Sequence, residues 1–169
     1  ELKLAEIEIE EGHADRAEKI IADLNSSTDN GAFLIKNSNL IKQTDFLIGL
    51  LYFKKNDFNK ALTYFKRSED TLDLKLKQKV NIQCGICYKE LGDFKKAITY
   101  FTLASEITVS RNLQIIANSY VADTYFGRRT NQADLEIAGK IYDDLINDNP
   151  NHTLNIEWRK KKANVLRQQ

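Results

Sequence analysis

A nine-residue segment occurs twice in the 169-residue sequence, as DFNKALTYF at 57–65 and as DFKKAITYF at 93–101. The two copies begin 36 residues apart, and Gly49 with Tyr52 recurs at the same spacing as Gly85 with Tyr88. A fixed period of about 20 to 50 residues is typical of proteins built from stacked structural units. We therefore predict that the chain folds as a series of repeats.

The composition and the spacing of apolar residues favour helices. One Pro and seven Gly are too few for the many turns of a β-sandwich or β-barrel. Apolar residues recur at three- or four-residue intervals, as in amphipathic helices. We predict helices at about 1–10, 14–24, 37–55, 57–71, 74–91, 94–108, 112–126, 133–147 and 153–167. Residues 32–35 could form an additional turn, and the alternation at 5–10 is also compatible with a short strand.

The pattern continues beyond the two close copies with less regularity. Ala122 and Tyr125 occupy the Gly and Tyr positions, and Ala138 and Tyr142 occupy the Ala and Phe positions of a further unit. Ala138 follows Ala97 by 41 residues, so we expect the turn at 127–132 to be about four residues longer. These spacings predict one domain with units at about 1–25, 37–71, 74–108 and 112–150, and a terminal helix at 153–167.

Gly-x-x-Tyr in the first helix of a pair and Ala-x-x-x-Phe in the second resemble the tetratricopeptide repeat. Two units carry the motif well, through Gly49, Tyr52, Ala61, Phe65 and through Gly85, Tyr88, Gly92, Ala97, Phe101, Ala104. The period of 36 differs from the usual period of about 34. No Trp begins either unit, and a terminal Pro occurs once, as Pro150. The resemblance implies an all-α fold of antiparallel helix pairs stacked into a right-handed superhelix, a TPR-like α-solenoid.

Close packing of the two helices explains why the motif contains small and aromatic residues. Gly49 and Gly85 lack a side chain, so the second helix of each pair can approach the first closely, and Ala61 and Ala97 allow the same from the other side. The aromatic residues of the motif would then fill the space between units. One pair alone cannot cover its apolar face, so neighbouring pairs must stack, and such stacks have a concave side.

In tetratricopeptide arrays the first helix of each pair lines the concave groove, and this resemblance implies candidate partner-binding positions. They are Phe46, Leu50, Phe53, Ile82, Ile86, Lys89, Ser119, Asp123 and Phe126. Family members that grip acidic tails carry Lys, Asn and Arg here, whereas this chain carries mainly apolar residues. The groove would therefore suit an apolar strand or helix of a partner, or a helix of the same chain. An apolar stripe is also typical of ordinary core residues.

The resemblance implies a protein–protein interaction scaffold, in which Lys89 and Asp123 would orient the partner. The alternative is a sensor or regulatory segment, similar to those in bacterial signalling or transcription-regulating proteins, that binds a peptide or small signal. The sequence contains no Gly-rich phosphate loop, H-E-x-x-H or G-x-S-x-G motif. We therefore expect neither enzymatic activity nor a cofactor.

Two other features invite a chemical interpretation. Cys84 and Cys87 form a lone C-x-x-C in the middle of a predicted helix, with both histidines far away in sequence, which favours two buried apolar residues over redox or zinc chemistry. The basic run at 159–162 is more typical of a solvated helix face than of a nucleic-acid site. The net charge of +1 gives no general attraction to nucleic acid or membranes, and we expect neither as a partner.

The sequence begins at Glu1 and contains no Met. We therefore expect it to be part of a longer polypeptide.

Overall fold

The computed structural model describes residues 1–26, 38–128 and 131–168, and these residues form helices without any strand. The nine helices of the described residues are α1 (Leu2–Glu10), α2 (Ala14–Ser26), α3 (Ser38–Lys54), α4 (Phe58–Arg67), α5 (Leu74–Glu90), α6 (Phe94–Glu106), α7 (Arg111–Arg128), α8 (Gln132–Asp148) and α9 (Asn155–Leu166). The prediction of an all-α protein is confirmed.

Three of the helix pairs are joined by three-residue turns of the same kind. The turns at 11–13, 55–57 and 91–93 each place a residue with positive φ in the middle, namely Gly12 (φ 84°), Asn56 (φ 58°) and Gly92 (φ 79°). Gly adopts this conformation without strain, and Asn tolerates it better than most residues. Such short connections require the two helices of a pair to run antiparallel.

Aspartate side chains fix where two of the helices after these turns begin. Asp57 accepts a hydrogen bond from the backbone N–H of Lys60, and Asp93 accepts one from that of Lys96, each at 3.1 Å. Both arrangements are N-caps, which satisfy backbone donors that the first helical turn leaves unpaired. The repeated Asp of the sequence motif thus starts α4 and α6.

The glycines of the motif lie where the two helices of a pair meet. A Cβ atom on Gly49 would be 2.5 Å from the ring of Phe65, and one on Gly85 would be 2.5 Å from the ring of Phe101. The small residues therefore face aromatic rings of the second helix, whereas the sequence predicts mainly small residues against each other. The Phe101 ring also stacks on Tyr120 of the next pair, with ring centroids 5.0 Å apart.

Buried apolar side chains connect each pair to the next. Buried side chains of α1 to α7 form one cluster, and a second cluster built around Tyr142 and Trp158 joins α7, α8 and α9. The first helices α3, α5 and α7 each pack on both helices of the preceding pair, as α3 does on α1 and α2. This arrangement is a helical repeat solenoid, as predicted. The proposed unit boundaries remain a prediction.

Three boundaries differ from expectation. The alternation at 5–10 belongs to α1, so the strand alternative is wrong. The extra residues before Ala138 do not lengthen the turn at 127–132, because α7 continues to Arg128 and α8 already begins at Gln132. Helix α4 ends at Arg67, not near Thr71. The possible extra turn at 32–35 lies outside the described residues.

Hydrogen bonds with α3 hold the chain at the point where α4 ends. The Lys42 ammonium donates to the backbone carbonyl of Arg67 at 2.6 Å, and the buried Ser68 hydroxyl donates to the carbonyl of Lys42 at 2.7 Å. The first bond satisfies a backbone carbonyl at the end of α4, and both bonds tie this end to the first helix of the pair.

Candidate functional site

The nine predicted groove residues lie on the first helices α3, α5 and α7. Helix α3 contacts α5, and α5 contacts α7. Equivalent positions on the three helices form three rows. The inner row comprises Phe46, Ile82 and Ser119, the middle row Leu50, Ile86 and Asp123, and the outer row Phe53, Lys89 and Phe126.

The inner row is buried between successive pairs. Phe46 and Ile82 are each 5% exposed and Ser119 is 8% exposed. Ile82 packs with Ala104 of α6 and with residues of α7, while the Trp158 indole N–H donates to the Ser119 hydroxyl at 2.9 Å. Ile82 and Ser119 are thus engaged in packing between pairs and are not open to a partner, which agrees with the core alternative.

The middle row is only partly buried, but its three members differ in chemistry. Leu50 and Ile86 are apolar side chains at the margin of the main cluster. Asp123 accepts hydrogen bonds from the Tyr142 hydroxyl at 2.6 Å and from the Lys161 ammonium at 2.8 and 2.9 Å. Asp123 therefore ties α7 to α8 and α9, and this role was not expected from the sequence.

Burial and the neighbouring Asp123 carboxylate raise the pKa of Tyr142 above its ordinary value. The Tyr142 hydroxyl therefore stays protonated and remains a hydrogen-bond donor to Asp123 throughout the neutral range.

The outer row lies at the end of each first helix and is partly exposed. The Phe53 ring meets Phe58 edge to face, with ring centroids 5.5 Å apart. The Lys89 ammonium lies 5.9 Å from the centre of the Tyr120 ring and 3.9 Å from the Glu90 carboxylate. These contacts leave Phe53 and Lys89 with surface accessible to another molecule.

A cavity of about 300 Å³ opens beside the inner row, between α1, α3 and α5. Its apolar wall is formed by Leu2, Phe46, Leu47 and Leu76, so Phe46 contacts this space although little of its surface is exposed. The Lys79 ammonium and the Glu6 carboxylate, 2.8 Å apart, form an ion pair along its edge. The sequence did not indicate this cavity, because it depends on how α1 sits against α3.

The cysteine pair is packed as expected. Cys84 and Cys87 are free and fully buried within α5. Burial raises the pKa of the Cys84 thiol and raises that of Cys87 to about 12. Both residues therefore stay protonated at neutral pH and lack the thiolate that redox and metal chemistry require.

Among the described residues, one group of side chains has the spacing of a metal site: Glu8, Glu11 and His13 at the turn between α1 and α2. The His13 Nδ1 atom lies 2.9 Å from Glu8 and 3.5 Å from Glu11, and the Arg16 guanidinium lies 3.8 Å from Glu8. Glu11 and His13 are exposed and Glu8 is partly buried, and the three side chains already contact one another.

Two of the four basic residues at 159–162 form ion pairs with acidic residues of the chain. Lys161 contacts Asp123 and Glu157, each at 2.8 Å, and Lys162 contacts Asp143 of α8. Lys160 is exposed. Two of the four cations thus serve to attach α9 to the preceding pair.

In the described part of the chain, no helix combines the length and the apolar character needed to cross a lipid bilayer.

A protein-family model with the description tetratricopeptide repeat matches residues 46–70 and 79–108. No curated protein matches the chain. The matched residues span the second half of α3 with α4 and most of α5 with α6, the two pairs in which the glycine–phenylalanine contacts occur. The chain therefore contains tetratricopeptide repeats at residues 46–70 and 79–108.

Proposed function

We propose that this chain is an interaction scaffold that binds a segment of a partner protein along the accessible parts of α3, α5 and α7. Repeats of this family generally mediate protein–protein interactions and are typically non-catalytic. The observation that carries the proposal is the difference in accessible apolar surface between the first and second helices of the matched pairs. Leu50, Phe53 and Ile86 leave apolar surface accessible on α3 and α5.

The second helices expose a different surface. On α4 and α6 most exposed positions are polar, among them Lys60, Thr63, Lys96 and Thr99, whereas the large apolar side chain of Leu103 near the end of α6 is 42% exposed. Apolar surface concentrated on one side of a protein that is otherwise polar marks an interaction site. This contrast therefore favours the first-helix side for the partner.

The cavity beside Phe46 supplies an anchor point at one end of this surface. A volume of about 300 Å³ can accept one large side chain, which would contact Phe46, Leu47 and Leu76. A side chain buried in a pocket contributes most of the binding energy at many interfaces. We propose that the partner inserts an apolar residue here and continues across Leu50 and Ile86 as a strand or helix.

The charges near the cavity do not favour a strongly acidic partner. The lining of the cavity contains the acidic residues Glu6 and Asp73 and three lysines, of which Lys3 and Lys75 are exposed. Lys79 is paired with Glu6, and Asp73 accepts hydrogen bonds from the backbone of Lys75 and Leu76 at the start of α5. Recognition would therefore depend on burial of apolar area, and affinity would change little with ionic strength.

A peptide selection tests this proposal and does not require the partner to be identified first. A displayed library of random peptides is enriched on the purified chain, and selected peptides are titrated against variants. We expect Leu50→Asp and Ile86→Gln to weaken binding by about tenfold or more, because each introduces polar atoms where apolar contacts form. Thr99→Asp on the exposed face of α6 is the matched control and should change binding by less than about twofold.

Binding is interpreted only for variants whose melting temperature is close to that of the unmodified chain, because Leu50 also contacts the core. Selected peptides that bind both groove variants with unchanged affinity would refute the proposed surface.

A further inference from the structure

Helices α2 and α4 can be compared position by position, because the turns before them have the same conformation. Gly12 and Asn56 are the positive-φ residues of these turns, and they lie 44 residues apart. The fully buried residues Ala17 and Ala61 are separated by the same 44 residues. Each position of α2 therefore has its equivalent on α4 at this offset.

Two ammonium groups lie against the ring of Tyr88 on α5. Lys96 Nζ is 5.2 Å from the ring centre, and Lys66 Nζ is 5.6 Å from it. Lys96 belongs to α6 of the same pair, whereas Lys66 belongs to α4 of the preceding pair. A cation at such a distance from an aromatic ring is attracted by the negative face of the ring. Tyr88 is buried, with 9% of its surface exposed.

Tyr52 of α3 is the equivalent of Tyr88, but one of the two cations is missing there. Lys60 Nζ lies 5.2 Å from the Tyr52 ring centre, as Lys96 does from that of Tyr88. The residue that corresponds to Lys66 at the 44-residue offset is Ala22. Among the described residues, Tyr52 therefore has one ammonium group against its ring, and it remains partly exposed.

A cavity of about 180 Å³ lies where the missing side chain would be. It is bounded by Ala22 and Tyr52, and its apolar wall is formed by Ile21, Ile48 and Leu51. Ala22 is exposed, so the cavity opens to solvent at this residue. None of the nine predicted groove residues lines the cavity. It is therefore a separate site, between α2 and α3.

Carboxylates outnumber ammonium groups around this cavity. The Glu18 carboxylate lies at its rim, 2.7 Å from the Lys55 ammonium. The hydrogen bond from Lys55 to Glu18 raises the pKa of Lys55, and the Asp15 carboxylate raises it further. Lys60 lies 3.2 Å from the Asp57 carboxylate. Three carboxylates thus accompany two ammonium groups, so the site can accept another positive charge.

We propose that the cavity beside Tyr52 binds a primary alkylammonium group. The apolar stem would lie against Ile48 and Leu51, because a methylene chain is buried readily while its charged end stays near solvent. The ammonium would lie between the Tyr52 ring and the Glu18 carboxylate, and would donate a hydrogen bond to Glu18. The ligand would thereby take the place that Lys66 occupies beside Tyr88. A lysine side chain of a protein and a free diamine both carry such a group.

The probe for this proposal is n-butylammonium, titrated against the intact chain and followed by two-dimensional amide NMR. We expect saturable shifts at the backbone amides around Ala22 and Tyr52. n-Butanol has the same apolar stem without the charge, and it should bind at least about fivefold more weakly. Glu18→Gln should weaken n-butylammonium binding by about threefold or more, because the carboxylate is lost.

Two substitutions exchange the two sites. Ala22→Lys should fill the cavity with a side chain of the chain itself and abolish the shifts. Lys66→Ala should open the equivalent space beside Tyr88 and produce a second set of shifts there. Lys95→Ala is the matched control, since it removes another exposed lysine of a second helix, and it should leave a single set of shifts. All three positions are exposed, so the variants should keep the circular dichroism spectrum of the unmodified chain.

Two further probes identify the source of the ammonium group. Tighter binding of Nα-acetyl-lysine amide than of cadaverine would indicate a lysine of a protein, and the reverse order would indicate a free diamine. Either order supports the ammonium site. Shifts by n-butylammonium that persist in Ala22→Lys would overturn the proposal, because the probe would then bind elsewhere. Equal affinities for n-butanol and n-butylammonium would also overturn it, since the site would not recognise the charge.

Discussion

The ring of Phe101 lies directly against Gly85, so close that a Cβ atom on residue 85 would be 2.5 Å from ring atom Cε1. Phe65 and Gly49 repeat this contact 36 residues earlier. Gly at this position lets the second helix place its aromatic ring on the backbone of the first. The period of the sequence is therefore the period of a specific packing contact.

Gly85→Ala should destabilise the chain by about 1–3 kcal/mol, because the added methyl group overlaps the ring. The ring cannot easily yield, since Phe101 is fully buried and stacked on Tyr120. Denaturant unfolding monitored by circular dichroism measures the change.

Gly127→Ala is the matched control, because a Cβ atom there would meet nothing within 4 Å. It should leave stability unchanged or raise it by up to about 1 kcal/mol. Equal stability of the Gly85 variant and the unmodified chain would contradict the packing account.

Gln78 of α5 holds the end of α6 through its side-chain amide. The Gln78 Nε2 group lies within hydrogen-bond distance of the carbonyl oxygens of Ala104, Ile107 and Ser110, at 3.1, 2.6 and 3.3 Å. Gln78→Leu should cost about 1–3 kcal/mol, because one buried and two partly buried carbonyls lose their donor. Gln78→Glu should cost more, since it directs a carboxylate at the same oxygens. Denaturant unfolding measures both changes, and a neutral effect of both variants would refute this role.

The contact between Trp158 and Ser119 should stabilise the attachment of α9. Ser119→Ala leaves the buried indole N–H without its acceptor, which should cost about 1–3 kcal/mol. Trp158 is the single tryptophan of the chain, so its fluorescence reports directly on this region during unfolding. An unchanged fluorescence-detected midpoint in Ser119→Ala would show that the hydrogen bond contributes nothing.

The N-caps predict how stability depends on acid. The backbone N–H of Lys60 lowers the pKa of Asp57, and the side chain and backbone of Lys96 lower that of Asp93. A lowered pKa in the folded state stabilises the fold at pH values above the unfolded pKa of about 3.9. This contribution is lost as the pH falls through the folded-state values below that point. The double variant Asp57→Asn, Asp93→Asn keeps an acceptor at each cap but removes both titrating groups.

Thermal melts between pH 7 and pH 2 test this prediction. The melting temperature of the double variant should fall less on acidification than that of the unmodified chain. Parallel acid profiles of the two proteins would contradict the assigned role of the caps.

Local features of the chain could be predicted from the sequence because a few residues determine them. The break between the predicted helices at 74–91 and 94–108 falls at Gly92 and Asp93, where the structure has a turn with positive φ followed by a capped helix. The all-α class followed from the repeat and from the scarcity of turn residues. The length of α7 and α8 was not predictable, because residues near a turn can either extend helices or form a loop.

The inner row of the predicted groove shows a second limit of prediction from the sequence, which concerns the residues that stay accessible. Ile82 and Leu50 are both apolar residues on the first helix of a pair, yet Ile82 is buried between pairs while Leu50 remains partly exposed. Which apolar residues stay accessible depends on the angle between successive pairs, and the spacing of residues within one helix does not determine that angle. The cavity beside Phe46 depends on the same angle.

The most direct test of the proposed interaction surface is site-specific photo-crosslinking to a selected peptide. A photoreactive amino acid at position 50 or 86 should form a covalent adduct with the peptide, whereas the same amino acid at position 99 on α6 should not. Mass spectrometry of the adducts identifies the contacted peptide residues. Crosslinking at position 99 with none at positions 50 and 86 would contradict the account, because the partner would then lie on the second helices.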